Sequence, residues 1–373
     1  MRRRDVLLVA ILVALVWNGL PAIGAGRSEE HRFEVVRVVD GLRHPWGLTF
    51  LPNGDMLVTE RPGFLRRVRD GVLVDEPIDG VPAVNSRRQG GLLDVVLHPD
   101  FAENRWVYLS YAGDGEGGVN TEVARGRLAG DALTEVEVIF RARPKTPGSL
   151  HYGSRLVFAR DGTLFVTLGE RYTEMDEAQD PSNHLGTVVR LNPDGSIPAD
   201  NPFVDGQEGA PEVFSYGHRN GQGIDVRPSD GSIWMHEHGP KGGDEINVLR
   251  AGANYGWPAI TYGIDYSGAI ISEKTHAPGM EQPVLQWTPS IAPSGMAFYD
   301  GTAFPRWEGD LFVGALAGTH LRRVVLEGDE VVHQEELLAD RARRIRDVRV
   351  GPDGFLYLLT DHSDGEILRL EPR

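Results

Sequence analysis

The chain has 373 residues, 40% of them hydrophobic and 25% charged, an ordinary globular composition with ample apolar material for a core. Its formal net charge of −16 argues against nucleic acid, whose phosphates require a basic surface. The absence of cysteine excludes disulfides, thiolate metal sites and a cysteine nucleophile.

Taken in chain order, the first signal is at the N-terminus. Arg2, Arg3 and Arg4 precede the apolar run Val6 to Trp17, and Ala22-Ile23-Gly24 places small residues where a signal peptidase reads. This pattern predicts a secretory leader over residues 1–24 and a periplasmic or secreted protein. An apolar run of about a dozen residues is short of the roughly 20 that span a bilayer, so no stable membrane insertion is expected.

From residue 31 onward one unit returns: an apolar strand, a turn rich in Gly, Asp, Asn or Pro, and a second strand. The instances are Trp46 to Glu60, Leu92 to Tyr111, Arg155 to Glu170, Gly223 to His238, Ser294 to Leu316 and Ile345 to Asp361. Turns such as Asn53-Gly54, Asp161-Gly162 and Asp353-Gly354 are strong hairpin signals, because both central residues tolerate positive φ. Hairpins repeated at roughly 45 to 70 residues predict an all-β fold: a single six-bladed β-propeller over residues 25–373, with four-stranded antiparallel blades. Runs beginning at Phe64, Val123 and Leu321 would supply outer strands. Phe33 to Val39 has no hairpin of its own and is expected to pair with the C-terminal blade, closing the ring. Gly113 to Gly118 opens no helix and reads as a flexible loop rather than a dinucleotide site.

In an antiparallel hairpin the start of the first strand and the end of the second lie together, opposite the turn. Residues at those positions should gather on one face around the axis, and they carry the unusual chemistry. His151 and Glu170 flank one hairpin; a carboxylate beside an imidazole fixes its tautomer and supports proton abstraction. Arg219 and Asn220, then Arg344 and Arg346, bring guanidiniums suited to a ligand with several carboxylates. The corner His238-Gly239-Pro240, followed by Asp244 and Glu245, offers carbonyl and carboxylate oxygens of the kind calcium takes. His236 and His238 alternate on a strand without a third ligand, which disfavours zinc.

These stretches resemble the soluble aldose sugar dehydrogenases of the glucose/sorbosone dehydrogenase family, which use pyrroloquinoline quinone (PQQ). The matching motifs include Gln89-Gly90-Gly91, His151-Tyr152-Gly153, His218-Arg219-Asn220, Glu237-His238-Gly239-Pro240, Asn254-Tyr255-Gly256-Trp257-Pro258 and Arg344-Ile345-Arg346-Asp347. The resemblance runs from about residue 35 to the C-terminus. It implies oxidation of an aldose at the anomeric carbon, with His151 as base and Glu170 as its partner. Gln89 would touch substrate and cofactor, Arg219 and Asn220 would face the quinone oxygens, and Arg344 and Arg346 would bind cofactor carboxylates. Gly239 and Pro240 would give carbonyl oxygens to a calcium that also holds PQQ, while Glu245, Tyr255 and Asp265 match a second, structural calcium site.

The glucose dehydrogenase branch carries a PQQ-contacting lysine where this chain reads Gly314-Ala315-Leu316-Ala317-Gly318, so the shorter aldose branch is the better match. A monomer is expected. The preferred sugar and the electron acceptor are left open. Two other readings of a propeller are a calcium-dependent lactonase or esterase and a non-catalytic carbohydrate-binding module. The first would place side-chain carboxylates and amides around a central ion, and the second gives no role to the convergence of His151, Glu170 and three arginines.

Overall fold

Six antiparallel sheets surround one axis in the computed structural model, which describes residues 22–373. The innermost strands are Pro45–Phe50 (blade 1), Leu92–Leu97 (blade 2), Gly153–Phe158 (blade 3), Gly221–Val226 (blade 4), Pro293–Phe298 (blade 5) and Ile345–Val350 (blade 6). Each meets the next around the ring, and the sixth returns to the first. Strand residues on these hairpins are almost wholly buried, and aromatic and aliphatic clusters fill the spaces between neighbouring blades.

Closure occurs as the sequence predicts: Arg32–Leu42 pairs with Gly365–Pro372 in the sheet of blade 6. That blade departs from the expected four strands, because Ala22–Arg27 pairs with Arg32–Leu42 and adds a fifth. The leader read over residues 1–24 lies outside the described residues except for Ala22, Ile23 and Gly24, which begin this strand. Gly113 to Gly118 is not a flexible loop. It joins the long strands Trp106–Gly115 and Gly118–Ala129, whose pairing continues to Gly115 opposite Gly118. Glycine is required there because a Cβ on Gly118, at φ 138°, would stand 2.1 Å from the Thr146 carbonyl oxygen. Among the described residues no helix is long and apolar enough to cross a membrane.

Every innermost strand is bulged near its start, where the pairing register shifts. A bulge leaves a backbone N–H without its ladder partner. In blades 1, 2 and 3 a hydroxyl from the second strand accepts it: Gly47 N to Thr59 at 2.9 Å, Asp94 N to Ser110 at 2.9 Å and Arg155 N to Thr167 at 3.0 Å. Each hydroxyl then donates to a carbonyl of the next blade, at Leu93, Ser154 and Gly221 respectively. The bulges therefore both turn the chain toward the axis and fasten blade to blade.

Below this level the axis is filled by charge. Arg155 is fully buried, ion-paired with Asp347 at 2.8 Å, and hydrogen-bonded to the carbonyls of Gln222 and Arg346. Its guanidinium stacks 4.0 Å from the Trp46 ring. Arg349 bridges Asp94 at 3.0 Å and Asp347 at 3.1 Å, so the two guanidiniums and two carboxylates compensate one another in a dry setting.

Candidate active site

The ends of the hairpins gather on one face, as their geometry requires, and enclose a cavity of about 560 Å³. Its two sides differ in chemistry. Blades 6 and 1 contribute Arg344, Arg346 and Arg61, whereas blades 3 and 4 contribute Tyr152, Asn220, Gln222 and His238. Trp46 and Leu93 add an apolar surface between them. Of the residues singled out in the sequence, Gln89, Asn220, His238, Arg344 and Arg346 line this cavity.

His151 stands immediately before the lining residues Tyr152 and Gly153, at φ 50°, an uncommon conformation for a side-chain-bearing residue. Several contacts hold it there. Its backbone N–H donates to Gln89 Oε1 at 2.8 Å, and Arg171 donates to the carbonyls of Gly148 and His151 at 2.6 and 3.0 Å. Its Nδ1 meets Glu170 Oε2 at 2.8 Å, and Tyr172 packs edge-on at 5.2 Å. An ionised carboxylate only accepts, so Nδ1 carries the proton and Nε2 keeps its lone pair. Nε2 has no hydrogen-bond partner among the described residues. Burial, reinforced by Arg219, lowers the imidazole pKa from its ordinary value against the opposing pull of Glu170. The neutral imidazole is therefore the favoured form near pH 7, and it can accept a proton.

A second pair shows what a purely structural version looks like. His218 Nδ1 meets Glu237 Oε1 at 2.9 Å, but its Nε2 is taken by Ser215 Oγ at 2.9 Å and the residue is completely buried. His236 and His238 likewise bond carbonyls of blade 5, those of Ser294 and Pro293, and are not arranged as a metal pair.

Arg344 and Arg346 are brought together by a residue the sequence reading left aside. Asp361 accepts from Arg344 at 2.7 and 3.0 Å and lies 3.2 Å from Arg346. Burial would raise its pKa, but the two guanidiniums outweigh burial and hold the carboxyl at about 2.

Arg219 does not line the main cavity. It borders a small hollow that shares His238 with it, and donates to the carbonyls of His238 and Gly239 at 3.1 and 2.8 Å. Glu245, Tyr255 and Glu237 border the same hollow. Burial and the neighbouring Glu237 push the Glu245 carboxyl up to about 8. The Tyr255 hydroxyl is committed to Val248 O at 2.6 Å and Arg250 N at 2.9 Å. Asp265 lies apart, on an exposed loop, accepting from Ser267 N at 2.8 Å. Among the described residues no three His, Asp or Glu side chains are grouped as a metal centre.

Arg61, Trp46, Gln222, Asp361 and the clamp Arg171 were not picked out from sequence. A signal for three of them existed: Arg61 follows the second strand of blade 1, which ends at Glu60, as Glu170-Arg171 follows that of blade 3. The rule that gathers hairpin ends on one face applies equally to Arg61 and to Asp361, which follows the second strand of blade 6.

A closed propeller with an imidazole–carboxylate pair beside a polar, cation-walled cavity defines an enzyme class rather than a simple scaffold. The family described as Glucose / Sorbosone dehydrogenase matches residues 42–369, and the chain belongs to it. It is thus an oxidoreductase of the sugar dehydrogenase kind. The chain is 48% identical to the aldose sugar dehydrogenase YliI of Escherichia coli, over 90% of this chain and 91% of that protein. The crystal structure of the soluble aldose sugar dehydrogenase from Escherichia coli, in the apo-form, superposes with a TM-score of 0.88 at 46% identity, covering 91% of this chain and all (100%) of that one. The PQQ-bound form of the aldose sugar dehydrogenase from Streptomyces coelicolor superposes with a TM-score of 0.75 at 30% identity, covering 95% and 100%.

Proposed function

We propose that this chain oxidises aldose sugars at the anomeric carbon, giving lactones, with PQQ as its cofactor. The carrying observation is the placement of a neutral, Glu170-oriented imidazole beside a cavity whose far side is cationic. A planar tricarboxylate fits that cavity on physical grounds: guanidiniums match carboxylates, and the indole of Trp46 offers an aromatic surface. When bound, PQQ supplies the acceptor for the hydride leaving the sugar. His151 takes the hydroxyl proton at Nε2, and Glu170 stabilises the imidazolium that results. The Gln89 carbonyl is held by the His151 N–H, which leaves its amide N–H groups for the sugar or cofactor edge. Asn220, whose Oδ1 accepts from Gly153 N at 3.0 Å, likewise keeps donors for the quinone oxygens.

The two calcium positions differ in how the residues fit. At Gly239 and Pro240 a cation would have to displace the Arg219 guanidinium from the Gly239 carbonyl. At the Glu237–Glu245 hollow a cation would relieve the repulsion between the buried Glu237 carboxyl and the half-buried Glu245 carboxyl, with Tyr255 contributing only through its main chain. Export to the periplasm or beyond completes the proposal, resting on the pattern in residues 1–24. The test is titration of the apo protein with PQQ, with and without calcium, followed by an aldose. Saturable binding and sugar-dependent bleaching of the bound quinone are expected. Absence of binding under both conditions would sink the proposal.

A further inference from the structure

His151 sits on the connection between Ala132–Arg141, the outer strand of blade 2, and Gly153–Phe158, the innermost strand of blade 3. Outside a sheet ladder, backbone carbonyls must find other donors. Each carbonyl from Thr146 to Tyr152 has one. The blade 2 side supplies Val119 N to Thr146 at 2.8 Å, Arg87 Nη2 to Pro147 at 2.7 Å, Gln89 N to Ser149 at 3.2 Å and Thr121 Oγ1 to Tyr152 at 2.7 Å. Arg171 alone supplies the rest, with Nη2 to Gly148 at 2.6 Å and Nη1 to both Leu150 and His151.

Arg171 is completely buried and stacks on Tyr152, its guanidinium carbon 3.6 Å from the ring centre. Glu170, its neighbour in the chain, faces His151 instead. The backbone that Arg171 spans enters the strand by a strained path: φ is 50° at His151, 64° at Gly153 and 82° at Ser154. A Cβ on Gly169 would stand 2.2 Å from the His151 carbonyl oxygen, so the end of the second strand packs directly against this turn. Such conformations persist only where the surroundings over-determine them.

We propose that Arg171 is a positioning residue for proton abstraction, fixing the backbone of residues 148–151 so that the His151 imidazole meets a sugar hydroxyl already aimed. This deepens the reading of His151 as the base and rests on it. Arg171 lies behind the cavity wall formed by Tyr152, so it acts through His151 rather than on the substrate. Its planar fork reaches carbonyls on three residues at once; an ammonium, a point donor on a flexible stem, does not reproduce that. Glu170 sets which imidazole nitrogen carries the proton, and Arg171 sets where the ring stands.

The first test needs no cofactor. In the apo protein His151 and His218 each hold an Nδ1 proton against a glutamate, and proton NMR should resolve both, assigned with His151→Ala. Arg171→Lys should speed solvent exchange of the His151 proton at least ~10-fold and leave that of His218 unchanged. The second test is single-turnover reduction of PQQ-loaded protein by an aldose. Arg171→Lys should match the parent within about 3-fold in PQQ affinity and in the sugar concentration giving half-maximal rate, yet reduce its quinone at least ~10-fold more slowly. Arg171→Gln, which keeps one donor group, should follow the same pattern. Parental exchange of the His151 proton, a reduction rate within about 3-fold of the parent, or loss of PQQ affinity in step with rate would overturn the assignment. Failure of both variants to fold would mark a purely structural residue and overturn it too. A slow Arg171→Lys beside a His151→Ala of parental rate would remove the base reading and the positioning role with it. A slow His151→Ala beside a parental Arg171→Lys would remove Arg171 alone.

Discussion

At His151 the chemistry turns on which nitrogen carries the proton, and Glu170 decides it. Glu170 Oε2 also accepts from the Tyr172 backbone N–H, so the carboxylate is itself held in place. Glu170→Gln removes the charge that stabilises the imidazolium while leaving the cavity wall intact. It should slow single-turnover reduction of bound cofactor by about 10²–10⁴-fold, with little change in cofactor affinity. The pH dependence has a definite sign. Because burial lowers the His151 pKa from 6.5, the neutral base persists below that pH, and the rate should decline only at more acidic values. An acid limb centred above 6.5, or a Glu170→Gln rate within about 3-fold of the parent, would show that His151 is not the base.

The hairpin is the element that makes the site possible, and its bulge is what aims it. Thr167 accepts the Arg155 N–H and donates to the Gly221 carbonyl, joining blades 3 and 4 just below the site. Thr167→Val keeps the shape and strands both groups in a dry setting, which should cost about 1–3 kcal/mol, measured as a lower urea midpoint with unchanged slope. A variant as stable as the parent would mean that the bulge is held by other contacts. The hairpins themselves were legible in the sequence, since Asn-Gly and Asp-Gly turns between apolar runs have few other readings. The bulges were not, because Thr59, Ser110 and Thr167 read as ordinary strand residues until the missing ladder partner is located. The fifth strand of blade 6 was hidden for another reason: Ala22 to Gly24 also fit the end of a leader. Asp361 reads in sequence as the end of the last hairpin, which places it on the functional face, and its position between two arginines gives it its role.

At the scale of the molecule, a chain of net charge −16 concentrates cations on one side of a single cavity, so an anionic ligand is selected locally against the overall field. The same acidity leaves the half-buried Glu245 beside Glu237, and desolvation together with that neighbour raises its pKa from 4.5 to about 8. The folded state then binds more protons than the unfolded state between those values, so this group's contribution to stability is lost as pH rises through 8. Metal-free parent protein should therefore lose thermal stability from pH 6 to 9 more steeply than Glu245→Gln, and added calcium should restore the parent but not the variant. Identical pH slopes with no calcium effect would count against a cation in this hollow. The central claim is tested most directly by mixing PQQ-loaded protein with an aldose, unlabelled or deuterated at C1, and following reduction of the bound quinone in a single turnover. The parent should show a primary isotope effect, and His151→Ala should load PQQ normally yet lose at least ~10²-fold in rate. A His151→Ala variant that reduces its quinone at the parental rate, or a parent with no isotope effect and no sugar-dependent reduction, would contradict the account.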